Sequence, residues 1–354
     1  MGKGMPKVTI TFTELAGSAI KRGERGIVAL ILKDTVLAKN PVECTGGDIP
    51  TALSTKSRKQ IELALMGYVN PPKKVIAYIL SESAEDYTDA YNYLKTTKYD
   101  YLVVPSVETD GEASNVASFV KSERADGKLV KAILPNYAGD SEAVINYATE
   151  KVVVGENEYT TEEYCSRIAG IIAGTPLNMS ATYAALPEAT DCTRLTKDER
   201  DAAVDAGKLI VFWDGEKVKV GRAVNSLTTI SQEKNEQFQK IAIVDAMDMM
   251  KTDITATIED VYIGKYKNSY DNKCILIRAI GAYLDTMVAE QVISNHTVEI
   301  DIEANRAYLK GKGIDVDSMS EHDIKTAKTG SSVFLKATMS MLDAIEDVVM
   351  NITI

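Results

Sequence analysis

The sequence is poor in the residues that carry out chemistry. Among 354 residues there are two histidines, one tryptophan and four cysteines. Neither His296 nor His322 has a second ligand at helical spacing, which argues against a zinc site. No G-x-S-x-G elbow supports a Ser-His-Asp triad. His296 is expected at a helix-to-strand junction and His322 in a capping turn. Cys44, Cys165, Cys192 and Cys274 stand far apart, so there is no C-x-x-C pattern, and they read as isolated reduced thiols. The glycine fingerprints of dinucleotide and P-loop sites are missing. Gly46 and Gly47 lie well past the first strand and read as a loop pair. The acidic stretch DVDSMSEHD at 315–323 lacks the order of a calcium loop and reads as a solvated turn. No catalytic, metal-binding or cofactor-binding residue is assigned, and neither an enzymatic activity nor a cofactor is expected.

Long apolar runs are also absent. The longest clean one, IVALIL at 27–32, is far too short to span a bilayer. The opening MGKGMPK has no apolar stretch for a signal peptide, and Pro6 occupies the Ser/Thr place of a myristoylation signal. Synthesis in a cytoplasm, without export by the usual route, is the expectation. Positive charge is in deficit, with 40 Lys and Arg against 51 Asp and Glu and a net charge of −11. Aromatics make up 6% of the chain and are not interleaved with basic runs. The chain therefore shows no footprint for direct nucleic-acid binding or membrane insertion.

What the sequence does contain is pattern. From Arg25 onward, apolar runs at 27–32, 73–80, 99–106 and 128–135 read as buried parallel strands, with KVVVG at 151–155 as a fifth. Helical stretches alternate with them: 57–67 with Ile61, Leu65 and Met66 on one face, 83–94 with Ser83 as N-cap, 112–125, and 161–174. This alternation predicts a parallel α/β sheet with helices on both faces. The second half reads as α+β. Thr196 caps a short helix ended by Gly207, and Asp214-Gly215 marks a hairpin. Ile241, Val244, Met247, Met250, Ile254, Ile258 and Val261 recur at steps of three and four, as do Ile277, Ile280, Leu284 and Val288. HTVEIDIE alternates, a helix ends near Gly311 and Gly313, Ser320 and Asp323 form a capping box, and SSVFLKATMSM alternates again.

Both termini carry alternating segments of their own. In KVTITFTE, residues 7–14, Val8, Ile10 and Phe12 share one face. In DVVMNITI, Val348, Met350, Ile352 and Ile354 share another. Two such strands can pair with each other or with the sheet of a neighbouring subunit. Between the first strand and the α/β half lies a polar stretch in which Gly17, Gly23 and Gly26 read either as hinges or as ordinary loop glycines. The expected organisation is an N-terminal arm and linker (1–23), an α/β domain (24–174), an α+β core domain (175–344) and a C-terminal arm strand (345–354).

Several long stretches, in order, resemble the contractile tail sheath proteins of bacteriophages, prophage-like elements and phage-tail-like bacteriocins of Gram-positive bacteria. They lie at 7–34, 173–183, 205–229, 260–274 and 329–348; residues 40–170 carry less of the likeness. The resemblance implies a non-enzymatic subunit that polymerises with itself as stacked six-fold rings and a helical sheath. It would surround a tail tube protein, meet baseplate and tail terminator proteins, and reside in a virion or phage-tail-like particle. It also implies that the α/β domain is outer and the α+β core domain inner, and that the arms add strands to a neighbour's sheet by β-augmentation. Two other readings compete: an α/β nucleotide-binding enzyme, and a non-contractile filament or shell protein. The hairpin lysines Lys217 and Lys219 and the polar faces of the long helices are the candidates for contact with a tube, against a plain solvated surface.

Overall fold

The structure is a computed structural model and describes residues 19–23 and 25–353. Its elements run in the order β1 (Ile27–Lys33), β2 (Val42–Cys44), α1 (Thr55–Leu65), β3 (Lys74–Leu80), α2 (Thr88–Thr96), β4 (Tyr101–Val103), α3 (Ala113–Ala125), β5 (Lys131–Pro135), β6 (Val144–Tyr147), β7 (Lys151–Val154), β8 (Asn157–Thr160), α4 (Thr161–Ala173), β9 (Asp191–Cys192), α5 (Lys197–Asp205), β10 (Lys208–Leu209), β11 (Val211–Trp213), β12 (Val218–Val220), α6 (Ile241–Thr257), α7 (Tyr270–Ala289), β13 (Ile293–Ile300), α8 (Ile302–Gly311), α9 (Glu321–Thr326) and β14 (Leu335–Met341). Two compact units emerge. One comprises Gly23–Thr252 with Leu342–Ile354; the other comprises Asp253–Met341 with the chain up to Arg22. The α/β and α+β halves expected from the pattern are both present, although compactness divides the chain within α6 rather than near residue 175.

In the larger unit a seven-stranded sheet runs β10-β6-β5-β4-β1-β3-β2, parallel throughout except for the β2 edge. Its strands read as continuous apolar runs because both faces are covered. Along β1, Val28, Leu30 and Leu32 join one core cluster with residues of α1 and α4. Ile27, Ala29 and Ile31 join a second cluster with residues of α2 and α3. The two-residue period of a strand thus feeds two separate cores.

Two local expectations, the place of KVVVG and the cap of the second helix, fail for physical reasons. KVVVG does not extend the parallel sheet: β7 pairs antiparallel with β8 and β9. Only Gly155 (φ +61°) and Glu156 separate β7 from β8, too short a link for a parallel crossover. The fifth strand of the parallel run is β6. Ser83 does not cap α2, which starts five residues later; there the Asp86 carboxylate accepts from Thr88 N at 2.9 Å. The run KLIVFW serves two sheets, since 208–209 pair with β6 while 211–213 form the Asp214-Gly215 hairpin with β12. The capping boxes at Thr196 and Ser320 are formed.

Helices α1 and α4 cross at backbone contact. A Cβ on Gly170 would stand 2.2 Å from the Ala64 carbonyl oxygen. Helix propensity alone favours Gly170→Ala by about 1 kcal/mol. Overpacking against a backbone atom outweighs that gain, so the variant is expected to lose about 3 kcal/mol in chemical denaturation. A rise in the denaturation midpoint would contradict this helix contact.

In the smaller unit α7 buries Leu276, Ala279, Ile280, Tyr283, Leu284 and Met287, a stripe offset from the one the spacing suggested: Ile277 and Val288 are only half-buried. Strands β13 and β14 form a two-stranded antiparallel sheet. His296 lies within β13, not at its junction with the helix, and its Nε2 is 2.9 Å from Asp285 Oδ1.

Candidate assembly surfaces

The β13–β14 ladder pairs Thr297 with Thr338 and Glu299 with Lys336 on an exposed polar face, and the two threonine hydroxyls share a hydrogen bond of 2.5 Å. Two strands are marginal alone, and independent stability generally needs a third strand or a packed helix. Among the described residues both outer edges of this ladder lack a strand partner. Each presents a row of backbone donors and acceptors, a template for a further strand.

The C-terminal segment is described to residue 353 and contains no strand in the single chain. Val348, Val349, Met350 and Ile352 are 73%, 90%, 73% and 76% exposed. An alternating apolar sequence therefore has no strand partner among the described residues. Before this exposed stretch, Asp343 pairs with Lys240, and Asp347 receives Arg222 Nη2 at 2.7 and 2.8 Å.

At the N-terminal side, Arg22 chelates the Glu290 carboxylate, and Ile20 is buried. The larger unit then takes hold at Arg25. Its Nη1 donates to Thr175 O at 2.8 Å, and its Nη2 reaches Tyr101 Oη and Asp245 Oδ2. Tyr101 Oη donates to the same Asp245 oxygen at 2.6 Å, while Lys131 Nζ lies 3.0 Å from Oδ1 and also meets Asp248. Arg124 closes the network on Asp248 at 2.7 and 3.0 Å. Burial opposes the charges of Asp245 and Lys131, yet their partners win. Lys131 and Arg25 hold Asp245 below the usual carboxylate range, and Asp248 and Asp245 hold Lys131 above the usual amine range. None of these residues was singled out by motif; the available signal was Lys131 inside an apolar strand.

Of the site residues expected from sequence, Val8, Ile10, Phe12, Gly17 and Ile354 lie outside the described residues. Val348, Met350 and Ile352 lie on the exposed segment. Gly23 begins the larger unit. Gly26 is built into the fold: its φ is +86°, a Cβ there would meet Ala173 O at 2.8 Å, and its carbonyl accepts from Lys73 N at 2.8 Å. Lys219 pairs with Asp214 across the hairpin. A groove of about 500 Å³ beside α3 and α6 is lined by Lys121, Arg124, Glu142, Lys234, Asp248 and Lys251. Glu142 and Asp248 engage Arg124 and Lys234, so the groove's positive charge is partly neutralised from within. Among the described residues no group of three or more His, Cys, Asp or Glu is placed to hold a metal ion, and no helix is long and apolar enough to cross a membrane. Cys44, Cys165 and Cys192 are buried thiols, with burial pushing Cys44 and Cys192 each up to about 11; Cys274 is an exposed thiol.

The described residues thus combine an α/β and an α+β fold with a two-stranded sheet whose edges carry no strand partner among them and with an exposed apolar terminal segment. Residues 81–226 match the phage tail sheath protein central domain, and residues 233–354 match the phage tail sheath C-terminal domain. The chain is 39% identical over 353 residues to the tail sheath protein of Clostridium phage phiCD119, covering 98% of each. It belongs to the phage tail sheath protein family. Its fold is shared by the sheath tail protein of Listeria innocua (TM-score 0.69, 17% identity, 92% of this chain and 97% of that one). It is shared equally by the helical sheath of the anti-feeding prophage in its contracted state (TM-score 0.69, 14% identity, 99% of each chain).

Proposed function

We propose that this chain is the repeating subunit of a contractile tail sheath. It polymerises as stacked six-fold rings around an inner tail tube and contracts to drive the tube through a target cell envelope. The observation that carries the reading is the β13–β14 sheet, whose edges have no strand partner among the described residues, in a chain whose terminal segments alternate like strands of matching length. Residues 7–14 and 348–354 of neighbouring subunits extend this sheet. Each added ladder bond contributes on the order of 1 kcal/mol net, and many linked copies make the lattice hard to dissociate. The inner α+β core with its arms faces the tube, and the α/β domain projects outward. Structural relatives support self-assembly and a baseplate partner, since they include a contracted helical sheath and a 6-fold symmetrised baseplate of the anti-feeding prophage. The tail tube and terminator are the other partners, and the particle is a virion or phage-tail-like body assembled in the host cytoplasm. Contraction draws its free energy from new contacts between subunits in a bistable lattice, so no nucleotide, cofactor or catalytic step is needed.

Within the N-terminal linker, Gly17 and Gly23 are the hinge positions. Gly26 marks the point at which the chain becomes rigid. Replacing Ile10 and Phe12 together with Asp is expected to abolish tube formation while leaving the subunit folded, because an inserted strand would bury two unpaired carboxylates. Negative-stain microscopy reads the outcome, and normal tubes would show that these side chains face solvent.

A further inference from the structure

The apolar end of the chain is exposed, but its root is held in a prepared socket. The Glu346 side chain is 8% exposed. It accepts from Thr182 Oγ1 at 2.5 Å, has Ser180 Oγ at 3.3 Å, and lies 3.5 Å from Arg222 Nε. The socket is rigid without its occupant's help. Ser180 Oγ donates to Thr182 Oγ1 at 2.8 Å, which also accepts from Ala223 N at 3.0 Å. The next residue, Tyr183, has a left-handed backbone with φ +58° and donates its N–H to Val220 and Gly221. A non-glycine residue held there is a strain that surrounding structure must sustain, and such outliers gather at functional positions. Three acids at 343, 346 and 347 are thus matched to Lys240, the Ser180–Thr182 turn and Arg222.

This anchorage differs in kind from the Arg25 network behind the other arm. Arg25 and Asp245 have side chains 16% and 3% exposed, whereas Arg222 is 37%, Asp343 40% and Asp347 78% exposed. Ion pairs of the second sort are individually weak and screened by salt.

We propose that Ser180, Thr182, Arg222 and Lys240 are positioning residues that clip the root of the C-terminal arm onto its own subunit, aim residues 348–353 outward, and release under ionic screening or tension. Release frees residues 343–347, adding roughly 3.3–3.6 Å of reach per residue. The C-terminal link then gains slack during rearrangement, while the buried Arg25 network behind the N-terminal link stays in place. The use of the clip in a lattice rests on the arm-exchange reading; its existence in the unassembled subunit does not.

Digestion of the unassembled full-length chain with a glutamyl endopeptidase tests this, because cleavage after Glu346 requires that side chain to leave its socket. The exposed loop carrying Glu82 and Glu85 is the internal reference. At about 0.1 M salt, cleavage after Glu346 is expected to lag the reference. Raising salt to about 1 M, where the Debye length falls to about 3 Å, should accelerate it relative to that reference. Arg222→Met should accelerate it by about five- to tenfold at low salt and flatten the salt response, as the loss of partly exposed pairs acting together implies, and Arg222→Lys should restore much of the protection. The wild-type salt response needs no variant to fold. Equal rates in wild type and Arg222→Met, or a wild-type rate indifferent to salt, would overturn the clip. Failure of arm exchange shows separately, as normal tubes formed by a chain truncated after Glu346.

Discussion

Removal of residues 1–19 is expected to yield a folded, soluble subunit that forms no tubes. The cut falls before Ile20, the first buried side chain among the described residues, and leaves the Arg22–Glu290 chelate and the whole Arg25 network in place. Thermal melting and far-ultraviolet circular dichroism should therefore match those of the full chain. What disappears is the only segment ahead of the fold that alternates like a strand, and with it one of the two links each subunit makes. A lattice held by linked copies loses affinity steeply when one link goes, because each remaining bond must then act alone. Ordinary tubes from the truncated chain would remove the N-terminal arm from the account.

The second large effect concerns Asp245. Its carboxylate is the common partner of Arg25, Tyr101 and Lys131, all buried or nearly so. Asp245→Ala leaves the two cations in a dry interior with one partner fewer. Breaking a buried pair by removing one member costs about 3–5 kcal/mol, and a melting temperature lower by roughly 10 °C is the expected reading. The exposed pair Lys197–Asp201, with side chains 79% and 60% exposed, is the contrast: Lys197→Ala should change the melting temperature little. The pH dependence has a definite sign. Asp245 has its folded pKa depressed, so its contribution is complete above the ordinary carboxylate pKa of about 3.9 and is lost as pH falls through the lower folded value. Wild-type stability should thus fall on acidification below about pH 4, and Asp245→Ala should show less of that fall. Equal acid sensitivity in both would mean the network is not a stabilising feature of the charged state.

Much of this was legible in the sequence wherever one stretch of chain decides its own structure. The runs at 27–32 and 73–80 announce buried parallel strands because both faces need apolar cover. Asp214-Gly215 announces its hairpin, and Ser320 with Asp323 its helix start, because a turn or cap is settled within a few residues. The failures share the opposite property. Nothing in VVV says whether it lies beside β6 or folds back on β8; a two-residue link decides it. The offset of the α7 stripe depends on which neighbours reach it. Arg222 and Asp347 are 125 positions apart, and Arg25 and Asp245 are 220, so neither pairing leaves a local trace beyond an acidic cluster or a lysine in an apolar run. The terminal strands are a third case. Their alternation is plain, but 342–353 form no strand among the described residues, and on the proposed reading their partner is another copy.

The central claim is that neighbouring arms complete the β13–β14 sheet, and a cryo-electron microscopy reconstruction of the assembled tube tests it most directly. The account predicts added strands along the free edges of β13 and β14, traced to residues 7–14 and 348–354 of other subunits, with Val8, Ile10 and Phe12 on one face. A sheet that stays two-stranded in the tube, with both arms bound elsewhere or unattached, would contradict it.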